Sequence, residues 1–319
     1  MLDLVCLGEL LIDFTPAGRS EQGNELFECN PGGGPANFVV AGARLGAKTG
    51  FIGQVGNDHF GRYLKQTLEG YQIDTTGLIL SDEYMSTLAF VHLFEDGDRD
   101  FTFYRKNGAD AFLRKEDVAY SVLDRTKAFH FSSLTLVNEI CTESTFAAAQ
   151  YAKEKGVMIS YDPNWRPSLW DNDDHCRSSM AAGLPYADVV KVSEEELLYL
   201  TNMDDPQAAA DAILKQGPKL VIETCGDKGM RYYHANGHGA SPGFAVKAID
   251  ATGAGDASFG SVMYGILQRN VDLNHIDHAV LEEILRFANA TAAISVTRRG
   301  AMPSLPLPQE VDAFLNAHS

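Results

Sequence analysis

Asp256 stands at the start of a predicted helix, directly after a run of small residues. The segment Asp250–Asp256 reads Asp-Ala-Thr-Gly-Ala-Gly-Asp, and apolar residues recur after it at helical spacing. A helix start offers unpaired N–H groups and the positive end of the helix dipole, which can hold a phosphoryl group. A carboxylate beside it can take the proton of an attacking hydroxyl. The motif predicts an anion hole with a general base, although Asp and Gly are also common in purely structural helix starts.

A second glycine-rich segment, Gly32–Gly34, precedes another predicted helix that ends before Gly46. Consecutive glycines let the backbone approach a ligand closely. Asn37 follows with both a donor and an acceptor, and Asp13 follows the first predicted strand. Paired donors and acceptors of this kind can bind the hydroxyl groups of a polyol. A flexible loop with a helix cap is the structural alternative.

The charge balance argues against some classes of partner. The chain has 319 residues, 43 of them acidic and 26 basic, with a formal net charge of −17. This acidity argues against nucleic acid or an anionic membrane as the main partner, but a few local groups could still bind a nucleotide. The five cysteines lack a C-x-x-C spacing, and no apolar run of about 18 residues occurs. We therefore expect neither a disulfide framework nor a zinc centre, and we predict a cytoplasmic protein with small-molecule partners.

Short apolar runs alternate with helical patterns over most of the chain. The runs predicted as buried strands are Leu4–Leu7, Phe129–Phe131, Val157–Ser160, Val189–Val192 and Leu220–Glu223. This alternation predicts an α/β fold with a mostly parallel sheet covered by helices on both faces. Ligands of such sheets bind beyond the carboxyl ends of the strands. The polar residues that follow the runs are Glu9, Asp13, Asp162, Asn164, Ser193 and Thr224.

Two segments, at about 14–29 and 86–106, interrupt this alternation. The first is predicted to be extended and irregular. The second holds two β-rich runs around Asp96-Gly97, a strong hairpin signal. The acidic cluster Asp96, Asp98 and Asp100 is better explained as a solvated turn than as a calcium loop, whose later ligands it lacks. A small β-structure that projects from an α/β body predicts a lid or a subunit contact.

Two further segments have adequate structural explanations. Ser193 and Glu196 fit a capping box, although Glu196 could also order water molecules around magnesium. The segment 224–229 is explained by a strand-to-strand turn, because the chain contains neither a Walker A motif nor a dinucleotide fingerprint. No role is assigned to any of the nine histidines.

Together, the two glycine motifs resemble the two signatures of the ribokinase-like (PfkB) carbohydrate kinase family. The resemblance continues, in the family's order, through Gly8-Glu9…Asp13, Lys191…Ser193-x-x-Glu196, Thr224-x-Gly226-x-x-Gly229 and the segment 297–304. It implies a single domain over residues 1–319, built as a three-layer αβα sandwich with a small β-sheet lid. Phe101–Arg105 and Tyr161–Arg166 look most like fructokinases.

The resemblance also implies roles for individual residues. Asp256 matches the base, and the anion hole is matched by Gly253, Ala254 and Gly255. Contacts to the sugar are implied for Asp13, Gly33, Asn37, Tyr104, Arg105 and Arg166. Contacts to the nucleotide are implied for Lys191, Thr224, Gly226, Gly229 and Asn289. An outer-sphere magnesium contact is implied for Glu196, and a monovalent-cation loop for Asp250, Thr252, Ser295, Arg298, Gly300 and Ser304.

Two positions depart from the family pattern, since Ala251 stands in place of a frequent threonine and Ser193 in place of the usual asparagine. The resemblance predicts an ATP-dependent sugar kinase that uses Mg²⁺ and K⁺ and converts fructose to fructose 6-phosphate. A 2-keto-3-deoxygluconate kinase is an alternative, since Arg105 and Arg166 could pair with a carboxylate. Another sugar kinase such as ribokinase, or a non-catalytic sugar sensor, is also possible. Apolar residues on both faces of the hairpin predict a homodimer joined through the lids.

Overall fold

The computed structural model describes residues 1–93 and 99–318. In this part of the chain, strands build one large and one small sheet. The strands are β1 (Leu2–Leu7), β2 (Leu11–Arg19), β3 (Glu25–Gly32), β4 (Thr49–Gly56), β5 (Asp74–Ser81), β6 (Leu88–Leu93), β7 (Arg99–Tyr104), β8 (Thr126–Ser132), β9 (Met158–Asp162), β10 (Val189–Ser193), β11 (Leu220–Thr224), β12 (Gly229–His234) and β13 (Gly237–Pro242). The helices are α1 (Gly34–Arg44), α2 (His59–Gly70), α3 (Tyr120–Leu123), α4 (Glu139–Glu154), α5 (Asp173–Ala182), α6 (Glu194–Thr201), α7 (Pro206–Leu214), α8 (Ala254–Gln268), α9 (His278–Val296) and α10 (Pro308–Ala317).

The large sheet has the order β13-β12-β11-β10-β9-β8-β1-β4-β5. Neighbouring strands of this sheet run parallel to each other from β11 to β5, while β12 and β13 form an antiparallel edge. Each of the five predicted runs overlaps a strand of this sheet, so the predicted α/β fold is confirmed.

Helices cover both faces of the large sheet. Alternate residues of β1 point to opposite faces, so Leu4 packs in a cluster with α1 and α8, whereas Val5 packs in a second cluster with α4 and α7. Both side chains are fully buried. The outcome is the three-layer αβα arrangement that the resemblance implies.

The small sheet has the order β3-β2-β6-β7. The first interrupting segment is regular rather than irregular, because β2 and β3 pair antiparallel with a register shift only between Pro16 and Gly18. The antiparallel pairing of β6 with β7 confirms the two arms of the predicted hairpin. Its predicted turn and the acidic cluster at Asp96 and Asp98 lie outside the described residues.

The two faces of the small sheet carry different side chains. Register and alternation place Asp13, Ala89 and Phe103 on one face. The aromatic face bears Phe90, whose ring contacts those of Phe14, Phe27 and Tyr104. None of the described helices is long and apolar enough to cross a membrane.

Candidate active site

Asp256 lies on the first turn of α8, as the small-residue motif predicts. Gly253 caps this helix with φ +75°, and a Cβ there would lie 2.9 Å from the Cβ of Ala301. Glycine is therefore required for both its left-handed backbone and its lack of a side chain. The N–H of Ala254 donates to the carbonyl of Ala251 at 3.2 Å, so this amide must exchange that bond to contact a phosphoryl oxygen.

Asn37 connects the two predicted motifs. Its Nδ2 donates to Oδ2 of Asp256 at 2.9 Å, and its side chain is buried. The Oδ1 of Asn37 has no hydrogen-bond partner among the described residues. Because a buried acceptor without a donor is costly, this oxygen is suited to accept a hydrogen bond from a ligand hydroxyl.

The environment of Asp256 suits this carboxylate to act as a general base. Burial raises its pKa to about 6, and the nearby Asp162 carboxylate adds to the rise. The hydrogen bond from Asn37 and the charges of Lys191 and Arg166 oppose that rise. A base with a pKa near the working pH combines an ionised form at neutral pH with useful proton affinity.

The glycine turn before α1 forms another wall of the pocket. Gly33 has φ +110°, and a Cβ there would overlap the backbone carbonyl of Glu9. A Cβ on Gly34 would lie 2.6 Å from Nδ2 of Asn164 and 3.5 Å from Oδ1 of Asp256. The backbone of this turn is therefore close to the base, where side chains would fill the space.

One pocket brings together a large share of the predicted sugar contacts. Of these, Asp13, Gly33, Asn37 and Arg166 line it, together with Asp256, the predicted base. Residues that were not predicted to bind sugar also line it: Glu9, Leu11, Gly34, Phe103, Leu134, Asn164, Thr252 and Gly253. The pocket thus lies between the small sheet, the glycine turn and the start of α8.

The structure places Tyr104 and Arg105 away from this lining. Tyr104 is 65% exposed on the aromatic face of the small sheet, and Phe103 faces the pocket instead. Arg105 is buried, where its Nε donates to Asp110 at 2.7 Å and its terminal nitrogen to the carbonyl of Leu134 at 2.9 Å. Its guanidinium is engaged by the protein itself.

Lys191 lies beside the predicted anion hole. Its Nζ donates to both oxygens of Asp162, at 3.0 and 2.9 Å, and lies 3.5 Å from the position of a Cβ on Gly255. Burial alone would lower the pKa of Lys191, but Asp162 and Glu196 reverse this effect and raise it. The ammonium group is therefore a permanent positive charge beside Gly255.

The family comparison agrees with this geometry. Residues 1–308 match the family described as pfkB family carbohydrate kinase. The chain belongs to this family. Fructokinase-1 of Zea mays is 40% identical over 313 residues, which cover 97% of this chain and 96% of that protein.

Solved structures of bacterial fructokinases share the fold of this kinase. The enzyme from Xylella fastidiosa, solved with bound ATP, is 33% identical with a TM-score of 0.92, covering 99% of this chain and 98% of that one. The enzyme from Vibrio cholerae O395, solved with fructose, ADP and a calcium ion, is 36% identical with a TM-score of 0.88, covering 98% and 99%. A double mutant of that enzyme was solved with fructose, ADP and a potassium ion. The predicted family and fold class are confirmed.

In this pfkB kinase, the capping box at the start of α6 has a second partner. Ser193 and Glu196 form the reciprocal bonds that the sequence predicts. Glu196 also accepts the N–H of Trp165 at 2.8 Å, which ties the end of β9 to α6. The carboxylate is buried and 4.0 Å from Lys191. Since both oxygens already accept backbone amides, this donor set suits contact with a metal-bound water better than direct ligation.

The predicted nucleotide residues frame the turn between β11 and β12. Thr224 Oγ1 donates to the carbonyl of Val192 at 3.3 Å, and Gly226 and Gly229 both have positive φ. A Cβ on Gly229 would overlap the backbone of Ser241. Asn289 is buried on α9 and donates to that same Ser241 carbonyl at 3.0 Å.

Several residues of the predicted cation loop are joined by hydrogen bonds. Asp250 accepts bonds from the N–H and the hydroxyl of Thr252, at 2.9 and 2.6 Å, and from the N–H of Gly300 at 2.9 Å. Arg298 reaches the carbonyl of Ser304, while Ser295 is buried on α9. The monovalent-cation site at this loop stays a prediction from the resemblance.

Sequence reasoning left Glu9, Asp162 and Asn164 without a role, although the structure places all three at the pocket or beside Lys191. The available signal was their position directly after predicted strands, since strand ends meet at one edge of a parallel sheet. Phe103 also lines the pocket. Alternation along a strand places it opposite Tyr104, but only the sheet pairing determines which of the two faces the pocket.

Proposed function

We propose that this carbohydrate kinase is a fructokinase that transfers the γ-phosphoryl group of ATP to the primary hydroxyl of fructose. The single observation that carries the proposal is the pairing of Asn37 with Asp256 inside a pocket at the start of α8. The names of its relatives in Zea mays, Xylella fastidiosa and Vibrio cholerae support the choice of sugar.

Each residue has a stated task in this mechanism. Asp13 and the unpartnered Oδ1 of Asn37 orient the sugar hydroxyls, and Asp256 takes the proton of the attacking one. The amides of residues 253–255 and the ammonium of Lys191 stabilise the charge of the transferring phosphoryl group. Bound magnesium would neutralise phosphate charge, and Glu196 would hold one of its water molecules.

The charges of the pocket favour a neutral sugar over a sugar acid. Its described lining includes the carboxyl groups of Glu9, Asp13 and Asp256, against the guanidinium of Arg166. Arg105, the other arginine considered for a carboxylate, is already paired with Asp110. A substrate carboxylate would therefore meet more negative than positive charge, which supports fructose over 2-keto-3-deoxygluconate.

A comparative kinase assay tests the proposal. Purified protein is incubated with ATP, Mg²⁺ and either fructose, ribose or 2-keto-3-deoxygluconate, and ADP release and the phosphorylated carbon are measured. We expect the highest kcat/KM with fructose and a product phosphorylated at C6. Turnover of only the sugar acid would overturn the proposal.

The matched variant is Asp256→Asn, which keeps the size of the side chain and removes the base. We expect kcat to fall about 10²- to 10⁴-fold while ATP binding persists. Near-normal turnover by this variant would remove Asp256 from its role. The cytoplasmic location remains a prediction from the sequence.

A further inference from the structure

Glu9 is a carboxylate in the pocket to which the proposed mechanism assigns no task. It follows β1 and is 1% exposed. Its Oε1 accepts the N–H of Gly34 at 2.9 Å, and Ser132 donates to its Oε2 at 3.5 Å. Burial of an ionisable group is costly unless it is paired, so the contacts of Glu9 should account for its place there.

The first contact supplies a cap to α1. Gly33 occupies the N-cap position, and it has no side chain that could accept a hydrogen bond from an unpaired N–H of the first helical turn. Glu9 performs this task from another part of the chain, and a carboxylate at a helix N-terminus also interacts favourably with the dipole. Since the Glu9 carbonyl also packs against Gly33, Glu9 holds the turn with both its backbone and its side chain.

This turn carries the residues that meet the sugar. Gly33 and Asn37 line the pocket, and Asn37 in turn contacts Asp256. The space around Gly34 is nearly closed by Asn164 and Asp256. A shift of the turn therefore moves the sugar contacts and the partner of the base together.

The second contact, with Ser132, leads towards the lid hairpin. Leu134 follows Ser132 by two residues, lines the pocket together with Glu9, and accepts a hydrogen bond from Arg105 through its carbonyl at 2.9 Å. Burial raises the pKa of Glu9 to about 7, and the positive charge of Arg105 opposes this rise. Arg105 follows β7 and binds one oxygen of Asp110, while the hydroxyl of Thr87, which precedes β6, binds the other oxygen. The buried carboxylate of Asp110 thus connects Thr87, before β6, with Arg105, after β7. These two residues are the roots of the lid hairpin.

We propose that Glu9 is a positioning residue that couples the roots of the lid hairpin, through Arg105 and Asp110, to the sugar-binding turn at Gly33 and Gly34. The proposal rests on the proposed function for its kinetic consequence. Arg105 joins Asp110 to the carbonyl of Leu134, which lines the pocket with Glu9, so a displacement of the hairpin roots reaches the surroundings of Glu9. The coupling affects sugar affinity more than nucleotide affinity, because the predicted nucleotide turn lies between β11 and β12.

The first test is Glu9→Gln, assayed at pH 8, above the pKa of about 7 for Glu9. Glutamine keeps an acceptor for Gly34 but removes the charge that attracts Arg105. We expect KM for fructose to rise by about 10- to 100-fold, with less than a threefold change in KM for ATP. The matched control is Asp188→Asn, which also removes a carboxylate that accepts a backbone N–H, from Ile159, and pairs with a lysine. An unchanged KM for fructose would overturn the inference.

The second test is non-additivity. Asp110→Asn should also raise KM for fructose, because it releases Arg105 and Thr87. If Glu9 and Asp110 act through one network, KM for fructose in the double variant exceeds KM in the worse single variant by less than about threefold. If the two effects multiply, the coupling is absent. Should Asp110→Asn fail to fold, Thr87→Val removes a bond from the same carboxylate.

Hydrogen exchange tests the coupling without any substrate. In both Glu9→Gln and Asp110→Asn, the amides of residue 34 and of residues 36–38 should exchange faster than in the wild type, while those of α7 stay unchanged. Unaltered exchange of these same amides in Asp110→Asn would overturn the inference, whatever sugar the kinase uses. A wild type that does not phosphorylate fructose would instead overturn only the proposed function.

Discussion

Asn37 donates a hydrogen bond to Asp256 at 2.9 Å, and the two residues are 219 positions apart in the sequence. The bond joins the first turn of α1 to the first turn of α8, so each glycine motif positions the polar residue of the other. The amide holds Oδ2 of Asp256, while Oδ1 lies near Gly34. The predicted base and the predicted sugar contact Asn37 are therefore directly linked.

The pKa of Asp256, about 6, predicts an acid limb in the pH profile. The carboxylate is the active form, so kcat should be level well above pH 6 and fall about tenfold per pH unit well below it. A pH series with saturating fructose and saturating ATP measures kcat without the change in KM that protonation of Glu9 brings. In Glu9→Gln the limb should remain, because it belongs to Asp256. A profile that is flat down to pH 4.5 would contradict the assignment.

The buried pair of Lys191 and Asp162 predicts a large effect on stability. Both side chains are buried, so Lys191→Met leaves an unpaired carboxylate in the interior. We expect the free energy of unfolding to fall by about 3–5 kcal/mol. The double variant Lys191→Met with Asp162→Asn should lose less free energy of unfolding than Lys191→Met alone. Urea unfolding measures both, and equal losses would show that Asp162 is stabilised in another way.

Arg166 is expected to act on the rate more than on sugar affinity. It lines the pocket with Asp256, and its charge lowers the pKa of that base. A cation near the path of the phosphoryl group interacts most strongly in the transition state. Arg166→Ala should therefore lower kcat at least about tenfold, with a smaller change in KM for fructose. A change confined to KM would make Arg166 a ground-state contact only.

The loop around Asp250 predicts activation by a monovalent cation. Asp250 binds the amides of Thr252 and Gly300, so a cation bound there would order the backbone that leads into the anion hole. Turnover should be faster in potassium than in sodium at equal ionic strength. In Asp250→Ala, the difference between the turnover rates in potassium and in sodium should disappear. Identical rates in potassium, sodium and a bulky organic cation would count against the site.

The aromatic face of the small sheet predicts a homodimer through the lids. Phe27 is 39% exposed and Tyr104 65% exposed on this face, and clustered exposed apolar rings favour association. Light scattering at micromolar concentration should report twice the mass of the chain. Phe27→Asp should shift the equilibrium to the monomer. Leu198→Asp on α6, which is exposed to the same extent, is the control and should remain dimeric.

Local sequence patterns were sufficient for the fold class and for the main parts of the pocket. The apolar runs of the large sheet and the helix starts at Gly34 and Ala254 follow from periodicity and small-residue turns within a few neighbouring positions. The capping box of Ser193 and Glu196 is equally local. Such features are encoded by residues that interact within one turn or one strand.

The tertiary structure alone determined which charged and aromatic side chains face the pocket. Arg105 was predicted to meet the sugar, but its partners Asp110 and Leu134 are brought to it by the packing of other segments. Tyr104 and Phe103 are adjacent, and the pairing of β7 in its sheet decides which one faces the pocket. The task of Glu9 depends on Gly34, which is 25 residues away. Burial and charge pairing arise from contacts between distant segments, and a pattern in the local sequence does not contain them.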